Sequence, residues 1–220
     1  MGKEKNKKTI SRPHLILCEG EDTTLFIINF LEYLQKRENG FDDFLALNFG
    51  GNEELPTFLS DLPYYPGFDI AVSLTIIRDS EKNYKNAIKS VKSALAKSGF
   101  PVPSQPNIIE QNNDMKVAFT LFPSLSTKDL SGSLEDLLID NLNENGANLL
   151  LNDIYSFLNE LKSKGRSFKW PQKSKLHMYF SVTNDFVSMK IGEATEAGAF
   201  NLECWEMNTL KELFRSIAIK

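Results

Sequence analysis

Cysteine and histidine are scarce, two of each in 220 residues, and Cys18, Cys204, His14 and His177 share no metal-ligand spacing. This excludes a Cys/His zinc module and a disulfide scaffold, and it fits a reducing compartment. Neither histidine neighbours a Ser or Cys nucleophile motif, so both read as core or surface residues. Cys18 lies in an apolar run and reads as a packing thiol. A Walker A loop and a dinucleotide fingerprint are also missing. Long apolar runs are absent too: Leu15-Ile16-Leu17-Cys18 is too brief for a membrane span or a signal-peptide core. A cytosolic chain without membrane association is expected.

An excess of positive charge is lacking as well. With 25 Lys plus Arg against 29 Asp plus Glu, the net charge is −4, which argues against a surface that coats duplex DNA. The balance is uneven. Residues 1–12 hold five basic residues and one acidic residue, leaving −8 for the remainder, so they read as a basic flexible tail. At 41% hydrophobic and 25% charged, the remainder has the composition of a globular chain with a sizeable core. No internal repeat or long linker divides it.

Apolar patterning then gives an alternation. Pro13–Cys18 reads as a buried strand, followed by Glu19-Gly20 and a helix over Leu25–Leu34 that Asp22 or Thr23 could cap. Phe44–Phe49 reads as a second strand ended by Gly50-Gly51, and Glu53–Leu62 as a short helix closed by Pro63. Asp69–Ile77 is nearly continuous apolar and β-branched, as a strand buried on both faces should be. It stops at Arg78-Asp79-Ser80-Glu81. A lysine-rich amphipathic helix spans Tyr84–Ser98, with Lys82, Lys85, Lys89, Lys92 and Lys97 forming a solvated face. Asn107–Glu110 and Lys116–Phe122 read as a strand pair joined by the polar turn Gln111–Asp114. Helices follow at Leu134–Leu142, Ala147–Lys162 and Asn208–Ala218, while Leu176–Val182 fits strand or helix. The expected class is α/β: a mostly parallel, Rossmann-like sheet over residues 13–125 flanked by helices, with a largely helical C-terminal elaboration over 126–220 packed on it as one unit.

Two acidic turns follow predicted buried strands, Glu19-Gly20 and Asp79-Ser80-Glu81. In open α/β sheets the carboxyl edge is where ligands bind. If the two strands are neighbours, Glu19, Asp79 and Glu81 converge, and carboxylates so placed need a compensating cation or raised pKa values. Mg²⁺ takes hard oxygen ligands and bridges to phosphate. The competing reading makes these residues helix caps. Farther on, Lys162–Lys175 (KSKGRSFKWPQKSK) has six basic residues and no acidic one, interleaved with Phe168 and Trp170. Such a segment can follow a phosphate backbone while its aromatics stack on bases, with Lys164, Arg166, Lys169, Trp170 and Lys173 as the contacts. Alternatively it is a solvated loop with its aromatics in the core.

Glu19-Gly20 behind one strand, Gly50-Gly51 behind the second and Asp79-x-Glu81 behind the third resemble the Toprim domain of topoisomerases, bacterial primases and several nucleases. Ile77–Glu81, Gly132–Leu138, Ile191–Ala194 and Gly198-Ala199-Phe200 are similar to a prokaryotic Toprim-like family. The resemblance implies a Toprim-like core and one or two Mg²⁺ or Mn²⁺ ions. It implies Glu19 as ligand and general acid or base, with Asp79 and Glu81 as further ligands. It also implies Glu135 as a second-metal ligand, though Ser133 and Asp136 equally form a capping box there. Lys175, and after it Lys190, would be the lysine that steadies developing charge. The expected activity is phosphodiester chemistry on nucleic acid, most simply a nuclease. The alternative is a non-catalytic Toprim-like module binding nucleic acid or a partner protein, in phage defence for example. It draws on Thr23, where the family's first motif usually has an acidic residue, and on Glu81, where the second more often has Asp. Association with a second copy or a partner protein is left open.

Overall fold

The computed structural model describes residues 9–112, 115–123 and 131–219. Most of the basic tail, Asn113 and Asp114 of the expected turn, and residues 124–130 lie outside the described residues.

Four strands run parallel, β1 (His14–Glu19), β2 (Phe44–Gly50), β3 (Ser73–Asp79) and β5 (Lys116–Phe122), and the two-residue β4 (Glu110–Gln111) pairs antiparallel with β5. Their order is β2-β1-β3-β5-β4. The two central strands are therefore those that end in the acidic turns. β3 starts later than its apolar run suggests, because Gly67, in a left-handed conformation at φ 84°, opens a tight turn over Phe68–Ile70 first. β4 is shorter than expected, since only Glu110 and Gln111 find ladder partners on β5.

Strand alternation sends successive side chains to opposite faces, and each face has its own helical cover. Leu15 and Leu17 pack with Leu74, Ile76, Val117 and Phe119 beneath α2 (Leu55–Asp61) and α3 (Tyr84–Lys97). Ile16 and Cys18 pack with Ile77, Ala118 and Phe122 beneath α1 (Gly20–Gln35). Five further helices share that second core: α4 (Leu134–Leu142), α5 (Asn148–Ser163), α6 (Pro171–Val182), α7 (Ile191–Glu196) and α8 (Trp205–Ala218). The architecture is a mostly parallel sheet between two helical layers, and the C-terminal helices complete the layer that α1 begins.

Local chemistry explains several boundaries. Asn83 caps α3 by accepting the Asn86 N–H at 3.0 Å, and Gly99, at φ 76°, follows its end. The α3 stripe Ala87, Val91, Ala94 and Leu95 is buried while Lys85, Lys89 and Lys97 are exposed. The segment 176–182 is helical, as part of α6, which begins with Pro171 in the first turn, where a missing N–H costs nothing. The helix α7 lies so close to α1 that a Cβ on Gly192 would stand 2.8 Å from Leu25 Cβ, and Asn29 Nδ2 donates to the Gly192 carbonyl at 2.8 Å.

Candidate functional site

The carboxyl edge of the central strands gathers a cluster of charge. β1 and β3 pair in register up to Cys18 and Ile77, so Glu19 and Asp79 leave neighbouring strands at the same end. Helix α1 starts at Gly20, earlier than periodicity suggests, and Glu19 stands at its N-cap position without making a side-chain cap. Its carboxylate turns to β3 instead: Oε2 accepts the Asp79 N–H at 3.2 Å and lies 3.5 Å from Arg78 Nε. The Asn52 N–H, from the loop after β2, also bonds this carboxylate.

Arg78 is only 2% exposed. It also donates to the Asp79 carbonyl at 3.2 Å and to Ser90 Oγ at 3.3 Å, which fixes it as a buried counter-charge for Glu19. Burial nevertheless raises the Glu19 pKa, against the pull of Arg78 and the two backbone N–H groups, and Glu81 adds to the rise. Asp79 is affected more strongly. Burial, then the charges of Glu19 and Glu135, push its carboxyl well above the usual aspartate range, although Leu134 N–H donates to Oδ1 at 2.9 Å.

The second acidic turn is built under strain. Glu81 adopts φ 51°, a left-handed conformation that a non-glycine residue enters at a cost of about 1 kcal/mol or more. Its N–H donates to the Gly132 carbonyl at 2.7 Å, and Oε1 accepts from Asn52 Nδ2 at 3.3 Å. The Glu81–Gly132 bridge holds the start of α4 against β3. There the two acidic residues of α4 divide their roles. Asp136 closes a capping box, Oδ2 accepting the Ser133 N–H at 2.9 Å, while its Oδ1 accepts from Gln172. Glu135, with its side chain 13% exposed, faces Asp79 and Lys173.

Lys173, near the start of α6, stands 2.5 Å from Asp22 Oδ2 and 3.8 Å from Glu135 Oε1. Burial opposes its charge, yet Asp22, Glu135 and Asp79 together hold its pKa above the ordinary lysine value. The lysine at the carboxylate edge is thus Lys173. Lys175 extends toward α5, 5.5 Å from the centroid of the Tyr155 ring, and helps hold down the Asp140 pKa, which burial raises. Lys190 marks the start of α7, where its N–H donates to Glu193 Oε2 at 2.8 Å. On the basic segment Phe168 packs against the core, whereas Trp170 stays 63% exposed with Lys169 Nζ 5.2 Å from its ring centroid. Lys164 pairs with Glu160, one turn back on α5.

The Gly50-Gly51 pair has a local role. At φ 94°, Gly50 lies so close to Glu54 that an added Cβ would sit 1.5 Å from Glu54 Oε2, and that carboxylate accepts the Gly51 N–H at 3.0 Å. Gly20 is different: at φ 74° it has nothing within 4 Å of the place a Cβ would take, so backbone beside Glu19 is open to approach. Two residues of the edge, Arg78 and Asn52, were not singled out from sequence, and a third, Asp22, was read only as a candidate helix cap. Arg78 had a signal, a lone charge directly after a buried β-branched run. Asn52 had none beyond lying next to a glycine turn, and the signal of Asp22 pointed to a helix N-terminus.

Among the described residues, no three of His, Cys, Asp and Glu are gathered closely enough to hold a metal ion as they stand. In kind, the donor set still suits a hard divalent cation. Glu19, Asp79 and Glu135 are oxygen donors whose mutual repulsion is visible in Asp79, and a cation relieves such repulsion.

Fold and edge together define an α/β protein with an open, mostly parallel sheet whose central strands present carboxylates at their carboxyl ends, the edge where open α/β sheets in general take ligands. The chain belongs to the family described as Protein of unknown function (DUF3226), whose family model matches residues 13–218. No curated protein and no solved structure matches it. Among the described residues, no helix is long and apolar enough to cross a membrane.

Proposed function

We propose that the chain performs Mg²⁺- or Mn²⁺-dependent phosphodiester chemistry on nucleic acid at the Glu19–Asp79–Glu135 edge, in the manner of a Toprim-type nuclease. The observation that carries this reading is Asp79. It is a half-buried carboxyl whose charge is opposed by two further carboxylates, pushed well above its usual range by desolvation and by their charges. Structural carboxylates more often sit beside a counter-charge that holds their pKa down, and perturbed groups converging at a sheet edge are a mark of functional sites.

In this reading Asp79 and Glu135 hold the cation together with Glu19, and Glu81 stands close enough to Glu19 for their charges to interact. When bound, a divalent cation would polarise the phosphoryl oxygens and lower the pKa of an attacking water. Glu19 keeps a proton more readily than a free glutamate, which suits a group that passes one during the reaction. Arg78 fixes where Glu19 points. Lys173 neutralises Asp22 and Glu135 and offers an ammonium to a phosphate at the edge. Gly20 leaves room for that phosphate beside the backbone.

A second reading has its own support. Asp79 accepts from the first turn of α4, and Arg78 and Lys173 already supply counter-charge, as in a non-catalytic module that binds nucleic acid or a protein partner. Cleavage assays on single- and double-stranded DNA and RNA, with Mg²⁺ or Mn²⁺, separate the two. The enzyme reading expects cutting that requires the cation and is lost in Glu19→Ala and Asp79→Ala. A native chain that binds nucleic acid without cation, cuts nothing, and binds equally well in both variants supports the module.

A further inference from the structure

We infer that the nucleic acid is read as an unpaired single strand, with Trp170 as the stacking platform that places it at the carboxylate edge. This rests on the proposed phosphodiester chemistry and adds the substrate class. Trp170 is the large aromatic of the basic segment left in solvent, 63% exposed, while Phe168 three positions earlier than Pro171 packs against the core. Its place ties it to the site. It is the residue just before α6, and Gln172 and Lys173, on the first turn of that helix, touch Asp136, Asp22 and Glu135. Lys173 follows Trp170 by three residues, a rise of about 4.5 Å along a helix, so the segment that carries the indole also carries the lysine of the edge.

The charge around it fits a strand better than a duplex. Among the described residues, Arg166 and Lys169 are exposed and carry no ion pair, while Lys164 is paired with Glu160 and Lys173 with Asp22. Two of the six basic residues in the segment are already paired, which leaves four at most for phosphates in a chain of net charge −4, a small electrostatic grip for a duplex. A few cations beside one aromatic are enough for a short unpaired segment. There the base has a free π-face, which within a duplex is covered by its neighbours. Lys169 Nζ, 5.2 Å from the centroid of the Trp170 ring, puts a positive charge beside the indole, available to a backbone phosphate once a base displaces it from the ring.

The test measures fluorescence anisotropy of a labelled oligothymidylate and of a blunt duplex with the native chain, Trp170→Ala and Trp170→Phe, under chelator so that nothing is cut. Indole quenching is followed in a Trp205→Phe background, because Trp205 is also exposed. The native chain should prefer the single strand and its Trp170 emission should be quenched. Trp170→Ala should lose roughly 5- to 150-fold in single-strand affinity, the range of one base–aromatic stack, with Trp170→Phe keeping most of it. A native preference for duplex, or equal single-strand binding by Trp170→Ala, overturns the inference. Calorimetric Mg²⁺ titration and a cleavage assay with Mg²⁺, both on native chain freed of chelator, keep the two claims apart. A chain that binds Mg²⁺ and cuts duplex retains the proposed chemistry and loses this substrate class.

Discussion

Replacing Asp79 by Asn keeps the side-chain size and an acceptor for Leu134 N–H, while removing a charge that burial, Glu19 and Glu135 all disfavour. Because the folded carboxyl titrates above the unfolded one, the fold favours the protonated form. The stability this gives is fully present below the unfolded value, near 4, and is lost as pH rises through the raised folded value. In chelator, native stability relative to Asp79→Asn should therefore fall as pH rises from about 4, with a limiting slope of about 1.4 kcal/mol per pH unit for one proton. Above the raised value the difference levels off. Glu19, also raised, titrates in the same direction and is coupled to Asp79 by charge, so the difference between the two proteins reports Asp79 together with its effect on Glu19. At neutral pH the Asn variant should be the more stable, each kcal/mol appearing as roughly 2–4 °C in Tm for a chain of this size. Thermal and urea unfolding followed by circular dichroism across the range measure both quantities. Saturating Mg²⁺ should raise native stability and leave the variant nearly unchanged. A variant less stable than native at neutral pH, or a difference that does not change with pH, would refute the reasoning.

Three other substitutions probe the supporting structure. Arg78→Met should destabilise by about 3 kcal/mol, because it leaves the Glu19 carboxylate, 14% exposed, without its buried partner. Equilibrium urea unfolding reads the loss, and Glu19→Gln in the same background should recover part of it. Gly192→Ala should cost about 1–3 kcal/mol by forcing α7 away from Leu25, again by urea unfolding, whereas Gly20→Ala meets no atom and should cost only its left-handed backbone strain. Lys173→Met removes the ammonium beside Asp22 and Glu135. Divalent-cation affinity should then rise, by calorimetry, if lysine and cation answer the same charge, and an unchanged affinity would separate the two.

Much of the sheet could be read from side-chain pattern, because a strand covered on both faces is built from apolar, small and β-branched residues, as 73–77 is. Adjacency of β1 and β3 could not be read, since pairing is settled by how whole layers pack. The convergence of Glu19 and Asp79 was conditional on it. Helix α1 begins five residues before the apolar stripe because Glu19, Gly20, Glu21 and Asp22 are polar whether helical or not. Helix α6 was ambiguous because its apolar residues do not fall on one clear face, although Leu176, Tyr179 and Phe180 are buried, and Pro171 was the better clue. The exchange of Lys175 for Lys173 has a geometric cause. Residues two apart on a helix point about 200° away from each other, so only one can face the edge, and composition does not say which. The capping box at Ser133 and Asp136 was legible, and once it claims Asp136, Glu135 is left to the site.

The central claim, that the carboxylate edge is built for a divalent cation, is tested most directly by calorimetric titration of Mg²⁺ into the chelator-stripped native chain and into Asp79→Ala. The account predicts saturable binding of one or two ions to the native chain, abolished or severely weakened in the variant. An absence of saturable binding to the native chain, or binding that the loss of Asp79 leaves unchanged, would contradict it.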